Sequence, residues 1–410
     1  MPLNPTVPRP PDGGHGSVPT VREVGGIYIH VPFCVRKCLY CDFYSEIDRS
    51  RIPDYLDALD QEIRCADPPA GLIFDTLYIG GGTPSVLASN QVNRIMATVR
   101  ERFELCPDAE ITLEANPGTL TEKGLRALRR LGVNRLNIGV QSFSDKGLRF
   151  LGRVHSAEDA RTSVRWAQDA GYDSIGLDLI YGLPGQSAAD WIADMTAAVT
   201  LAPHHLSCYM LTYEPGTPLS RLLEKRTFKP LSESRVGTLF QTTIRFLADH
   251  GYTQYEVSNF ARSSDKQSRH NRKYWSMAPY LGFGPSAHSF MPPERWWNVG
   301  SIGRYMELTA TGQPVVDAKE VVDREGQIIE GLYLGLRQTD GIRIPDFENR
   351  FELRFKEVFG EVLATLRKKK WLQDAADRCA LTPLGLRFLD SVTSMFVSRD
   401  FSGIPTSERR

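Results

Sequence analysis

Cys34, Cys38 and Cys41 fall within eight residues of the stretch HVPFCVRKCLYCDFYS, which runs from His30 to Ser45. A C-x3-C-x2-C spacing is a metal-ligand set, because thiolates are soft donors that suit zinc or iron–sulfur clusters. A closed structural zinc site takes four ligands, commonly as two Cys/His pairs, and no second pair of this kind stands in the sequence. His30 is four residues upstream of Cys34 on a segment read as extended, which should hold it well away from the loop. Three thiolates on a four-iron cluster would leave one iron open to a substrate or cofactor. Ordinary buried cysteines are the alternative, but free thiols rarely crowd a loop unless liganded. Two positions beyond Cys41, where a fourth cysteine might stand, is Phe43.

Other polar residues recur at one structural level. Short β-prone runs, GIYIHV (26–31), FDTLYIG (74–80), AEITLEA (109–115), VNRLNIGV (133–140), DSIGLDLIYG (173–182) and HLSCYMLTY (205–213), alternate with helix-like segments. In TEKGLRALRRLG, Leu125, Leu128 and Leu131 define one apolar helix face and Gly132 sits where a C-cap belongs. Six strand–helix units in series predict an α/β fold with parallel strands and right-handed crossovers, either an open doubly wound sheet or a full or partial barrel. Function in such folds sits where strands end and βα loops begin. At that level lie Gly81, Gly82 and Thr83 of GGGTP, Glu114, Gln141, Asp178 and Thr212. Turn chemistry explains the glycines and prolines. It explains less well a Glu, Gln and Asp set in apolar runs.

The chain has 410 residues, with 49 basic and 49 acidic side chains. That balance gives no electrostatic case for nucleic acid or an anionic membrane as main partner. Seven cysteines, an odd number, argue against a disulfide framework and for a reducing, cytoplasmic compartment. Cys65, Cys106, Cys208 and Cys379 read as small buried hydrophobes. No apolar run approaches the roughly 18 residues of a transmembrane helix. Residues 1–22 read as a flexible Pro/Gly-rich tail, 23–310 as the α/β domain with an aromatic and glycine-rich extension, 311–400 as a small helical domain and 401–410 as a second tail. Within the helical part, Thr382 and Pro383 read as N-cap and first residue of the last helix.

The cysteine spacing after a first strand, with GGGTP after the second, resembles the radical-SAM superfamily. That resemblance implies a partial (β/α)6 TIM-type barrel followed by a helical C-terminal domain. It also implies a [4Fe–4S] cluster on Cys34, Cys38 and Cys41, with S-adenosylmethionine chelating the open iron. Tyr28, Tyr40, Gly81, Gly82, Thr83, Glu114, Gln141, Arg153, Asp178, Thr212 and His288 match positions expected around S-adenosylmethionine. YIHVPFC, YIGGGTPS, NIGVQSF, GLDLIYGLPGQ, YEPGTPL and YEVSNFA narrow the resemblance to the oxygen-independent coproporphyrinogen III oxidase group, over about residues 26–400. The oxidases of that group carry a fourth cysteine where this chain has Phe43, so the sequence follows the other branch, the haem chaperones. That branch implies haem as ligand and haem enzymes, such as respiratory ones, as recipients. It suggests work in the cytoplasm, at the inner membrane during delivery, and leaves a homodimer open. Its mark HNxxYW appears as His270, Asn271, Arg272, Lys273, Tyr274 and Trp275. His270, with Asn271, Tyr274 and Trp275 around the ring, is the expected haem site. His288 and Cys208 compete for the axial position, and a hydrogen-bonded structural histidine is the alternative.

Overall fold

The computed structural model describes residues 23–67 and 69–397, so both expected tails lie outside the described residues. In chain order the barrel elements are β1 (Glu23–Val31), α1 (Ile52–Cys65), β2 (Leu72–Gly81), α2 (Ser89–Arg102), β3 (Leu105–Ala115), α3 (Glu122–Leu131) and β4 (Arg135–Gln141). They continue with α4 (Asp145–Leu151), α5 (Ala157–Asp169), β5 (Ser174–Tyr181), α6 (Ala188–Thr200) and β6 (His205–Met210). Strands β1 to β6 pair in sequence order and all in parallel. This is the expected partial (β/α)6 barrel. Each strand feeds a helix that packs back on the sheet. In α3, Leu125 and Leu128 are buried, Thr121 caps the N-terminus and Gly132 ends the helix at φ 103°.

Alternate residues of each strand take opposite sides. Ile27 and Ile29, Leu77 and Ile79, Leu136 and Ile138, and Ile175 and Leu177 pack in the core. Tyr28 and His30, Thr76 and Tyr78, Thr112 and Glu114, Arg135 and Asn137, Asp178, and His205 and Ser207 occupy the intervening positions and face the lumen. The lumen is therefore polar while the sheet's outer face is apolar.

The sheet continues past both ends of the barrel. After α7 (Pro218–Glu224) and α8 (Glu233–Asp249), β8 (Asn259–Ala261) pairs with β6, and β7 (Thr253–Gln254) pairs with β8 at the edge. Helix α9 (Arg269–Trp275) follows. Strands β9 (Tyr280–Phe283), β10 (His288–Met291), β11 (Glu294–Asn298) and, after α10 (Ile302–Ala310), β12 (Val316–Val321) extend the sheet beyond β1. Because β12 pairs with β11, the helical part begins after Val321 rather than at 311. It comprises α11 (Arg324–Arg337), α12 (Ile344–Phe351), α13 (Phe355–Lys368), α14 (Pro383–Leu386) and α15 (Leu389–Val397). Thr382 does cap a helix that starts at Pro383, but that helix is the single turn α14, and α15 is the last among the described residues.

Candidate functional site at the barrel mouth

The cysteine loop leaves β1 and lies across the C-terminal end of the barrel. Its far side is fixed by Leu39 N–H to Leu151 O (3.2 Å) and Leu219 N–H to Leu39 O (2.8 Å), and its return by Cys34 N–H to Glu46 O (2.8 Å). Cys34 is buried, Cys38 and Cys41 half-buried, and none is in a disulfide. His30 is not held away from this loop. Its Nε2 lies 3.0 Å from Tyr44 O and its Nδ1 lies 3.1 Å from the Tyr28 hydroxyl, because the loop folds back over the end of its own strand. Burial lowers the His30 pKa to about 4, so the ring is neutral.

The glycine turn after β2 packs against the same loop. A Cβ on Gly82 would stand 2.8 Å from Phe33 O and 3.1 Å from Cys34 Sγ, so only glycine lets the two backbones pass. Thr83 Oγ1 lies 3.3 Å from Cys34 Sγ. Arg153 reaches in from the loop after α4, donating to Cys38 Sγ (3.3 Å) and Gly139 O (2.6 Å), while its Nε is buried without a partner. Gln141, at φ 66°, and Tyr40 lie beside this guanidinium.

Two carboxylates sit deeper. Glu114 accepts from the Tyr78 hydroxyl (2.7 Å) and Gly81 N–H (3.1 Å), and Asp178 accepts twice from Asn137 Nδ2 (3.0 and 2.9 Å). Burial raises Glu114 to about 7, helped by the charge of Asp178, and raises Asp178 to about 6. The lumen thus holds two carboxyl groups ready to ionise against a cation. Thr212 is exposed just beyond β6. Tyr78, Asn137 and Ser207 belong to this site although the sequence reading did not single them out, and so does His30, which it held away. The signal was there, since NRLNIGVQ places Arg135, Asn137 and Gln141 at alternate positions of an apolar run.

The donor set fits a cluster and an amino-acid-bearing cofactor. Three thiols share one pinned loop, a glycine clears the space beside Cys34, and a buried guanidinium with a free N–H faces Cys38. Among the described residues no three His, Cys, Asp or Glu side chains converge closely enough to hold a single metal ion. A surface cleft of about 520 Å³ lined by Arg100, Phe103 and Cys106 contains none of these residues.

The HNRKYW segment lies elsewhere. It forms α9, which contacts β1 and β2 below the mouth. His270 is 1% exposed. Its Nδ1 lies 2.8 Å from Thr76 Oγ1, its Nε2 2.8 Å from the Tyr274 hydroxyl, and its ring stacks on Tyr78 at 5.0 Å. Burial, then Lys273, lowers its pKa to about 3. Both ring nitrogens have partners in this structure, which is the arrangement of the hydrogen-bonded histidine named as the alternative. Asn271 is a first-turn residue whose N–H bonds Ser268 Oγ (3.3 Å), and Trp275 lies under Arg337. Cys208 is buried on the outer side of β6, with its pKa pushed up by burial. Of the four scattered cysteines, Cys208 and Cys379 are buried, but Cys65 is exposed and Cys106 half-buried, against the expectation for all four.

A partial barrel with a three-cysteine loop after β1 and a glycine turn after β2 defines a radical-SAM protein, and the Radical SAM superfamily model matches residues 28–198. The HemN C-terminal domain model matches residues 322–388, the helical part. The solved structure of coproporphyrinogen III oxidase (HemN) from Escherichia coli, described as a radical SAM enzyme, superposes with TM-score 0.80 at 27% identity, covering 92% of this chain and 90% of that one. Proteins named heme chaperone HemW are similar along nearly their whole length. The Bacillus subtilis (strain 168) protein is 35% identical, over 90% of this chain and 98% of its own. The Escherichia coli (strain K12) protein is 33% identical, over 91% and 98%. The chain belongs to the HemW family of haem chaperones.

Proposed function

We propose that this chain binds haem and hands it to haem enzymes, with a [4Fe–4S] cluster on Cys34, Cys38 and Cys41 and S-adenosylmethionine beside it. The observation that carries this is the mouth itself: three thiols on one loop, with Phe43 68% exposed at the position of the oxidases' fourth cysteine. Bound there, the cluster and cofactor would supply one-electron chemistry at the open iron. The chain's own part is positioning. Arg153 would pair with the cofactor's carboxylate, and the Gly81–Thr83 backbone would lie against its amino group. Glu114 and Asp178 would accept from its ribose hydroxyls or ammonium group, with Tyr28, Tyr40 and Gln141 in the surrounding shell. No helix among the described residues is long and apolar enough to cross a membrane, so delivery to a membrane-bound recipient would be peripheral.

Titration of haem into the anaerobically reconstituted protein, followed at the Soret band, tests the binding step. Saturable, stoichiometric binding is expected, followed by transfer to an apo haem enzyme. No saturable binding would refute the reading. The likeness to the oxidase structure supports one competitor, oxidative decarboxylation of coproporphyrinogen III. Anaerobic turnover of that substrate would favour it over the chaperone.

A further inference from the structure

Gly176 on β5 leaves a gap in the wall of the lumen. It stands directly opposite Asn137 on β4 and His205 on β6. Directly paired residues share a face of the sheet, so these positions form one row across three strands with no side chain at its centre. Both neighbours lean into the gap. A Cβ on Gly176 would stand 2.6 Å from Asn137 Oδ1 and 3.2 Å from His205 Nδ1. His205 is 1% exposed, and its Nδ1 is buried without a hydrogen-bond partner among the described residues.

The outer nitrogen of the ring fixes where its proton sits. Burial, then the charge of Arg135, lowers the His205 pKa well below the ordinary value, so the ring is neutral and carries one N–H. Its Nε2 lies 2.8 Å from the Tyr255 hydroxyl, and that hydroxyl already accepts from Ser268 N–H at 3.2 Å. If Nε2 carried the proton, it would donate to the same oxygen, and the buried Tyr255 proton would have no acceptor among the described residues. Donation from Tyr255 to Nε2 uses each group once and leaves the proton on Nδ1. The gap therefore has an N–H donor on one side and the Asn137 carbonyl on the other, which suits one bridging water. The nitrogen of the same amide donates to both oxygens of Asp178, which Ser207 also bonds. A chain of polar groups then runs from Ser268, the N-cap of α9, through Tyr255 and His205 to Asn137 and Asp178.

We propose that His205 is a positioning residue for Asp178, acting through a water held in the Gly176 gap between its Nδ1–H and the Asn137 carbonyl. The assignment rests on the reading of Asp178 as a carboxylate that binds S-adenosylmethionine. Asn137 can aim its N–H groups at Asp178 only while its carbonyl faces the other way, and a donor in the gap stabilises that orientation. Without the donor the carbonyl is a buried acceptor with nothing to accept from. A histidine that only filled the core would leave its own Nδ1–H in the same position.

Equilibrium binding of S-adenosylmethionine to the reconstituted full chain tests the assignment with two polar variants. In His205→Asn the amide nitrogen can reach the place of Nδ1, and in His205→Gln that of Nε2. His205→Asn should stay within about twofold of wild-type affinity, and His205→Gln should bind about three- to tenfold more weakly, with equal iron and sulfide content. A merely structural role predicts the opposite order, because glutamine fills more of the ring's volume and keeps the Tyr255 contact. Gly176→Ala puts a methyl group in the gap and should match His205→Gln, with the double variant no weaker than either. Nitrogen NMR of the cluster-free wild type should find the His205 proton on Nδ1, a measurement that needs no variant to fold. A proton on Nε2, or an affinity in His205→Gln equal to or above that in His205→Asn, would overturn the assignment. Wild-type affinity in Asp178→Asn would instead overturn the cofactor reading of Asp178, and the assignment with it.

Discussion

Glu114→Gln isolates the cost of keeping a carboxylate in the lumen. Glutamine keeps the shape, its carbonyl can accept from Gly81 N–H, and the Tyr78 hydroxyl can rotate to accept from its amide. Burial lifts Glu114 from the usual 4.5 to about 7. At about 1.4 kcal/mol per pH unit, the ionised native protein therefore carries a penalty of about 3 kcal/mol relative to the unfolded chain. A folded pKa above the unfolded one means that the native state holds more protons between those values. The stability contributed by Glu114 is thus fully present below about pH 4.5 and is lost as pH rises through about 7. Water in the half-open lumen screens part of this. The advantage of Glu114→Gln over wild type should then grow by about 2 kcal/mol between about pH 5 and pH 8. Urea unfolding of the cluster-free, reduced protein at both pH values measures it. An advantage that stays constant would mean that Glu114 titrates normally, and the account of the lumen as a carboxylate trap would be wrong. The same group links to ligand binding. A cation beside Glu114 favours its ionised form, so S-adenosylmethionine affinity should rise by up to about tenfold per pH unit until about pH 7, then level off. In Glu114→Gln that rise should flatten.

Gly82→Ala should lower iron and sulfide retained after reconstitution, because the new Cβ meets Phe33 O and Cys34 Sγ; full retention in an otherwise stable variant would refute that contact. His270→Ala leaves Thr76 and the Tyr274 hydroxyl unpartnered in a buried site, at about 2–4 kcal/mol, measurable by denaturant unfolding. Arg337→Met strands Glu256, which is 0% exposed and bonded to Arg337 Nε at 2.7 Å. Removing one partner of a buried pair costs about 3–5 kcal/mol, and limited proteolysis should show α11 to α15 loosening first.

The barrel was legible because its signals are local. The six apolar runs became β1 to β6, and the spacing of Cys34, Cys38 and Cys41 marked the loop without any tertiary information. The extension was harder. Strands β9 to β12 are four to six residues long, and VDAKEV lacks the apolar alternation that would mark a half-buried strand. Its pairing with β11 comes from chain geometry. His30 was misplaced for a related reason. Extension along a strand says how far a residue lies from its neighbours in sequence, and nothing about which later segment folds back over it.

The HNRKYW segment illustrates the same limit at the level of function. A histidine beside two aromatics satisfies the chemistry of a haem ligand and equally that of a buried plug, and residue types alone do not separate them. The surroundings do. Glu110 accepts the N–H groups of Arg269 and His270 at 3.2 and 3.1 Å, Lys273 pairs with Asp75 at 2.6 Å, and Arg337 packs over Trp275 while holding Glu256. Helix α9 is thereby tied to β2, β3 and α11 at once, closing the lumen floor and joining the barrel to the helical domain. A segment with that many partners is costly to move. In this structure its geometry is that of the part that fixes the lumen floor.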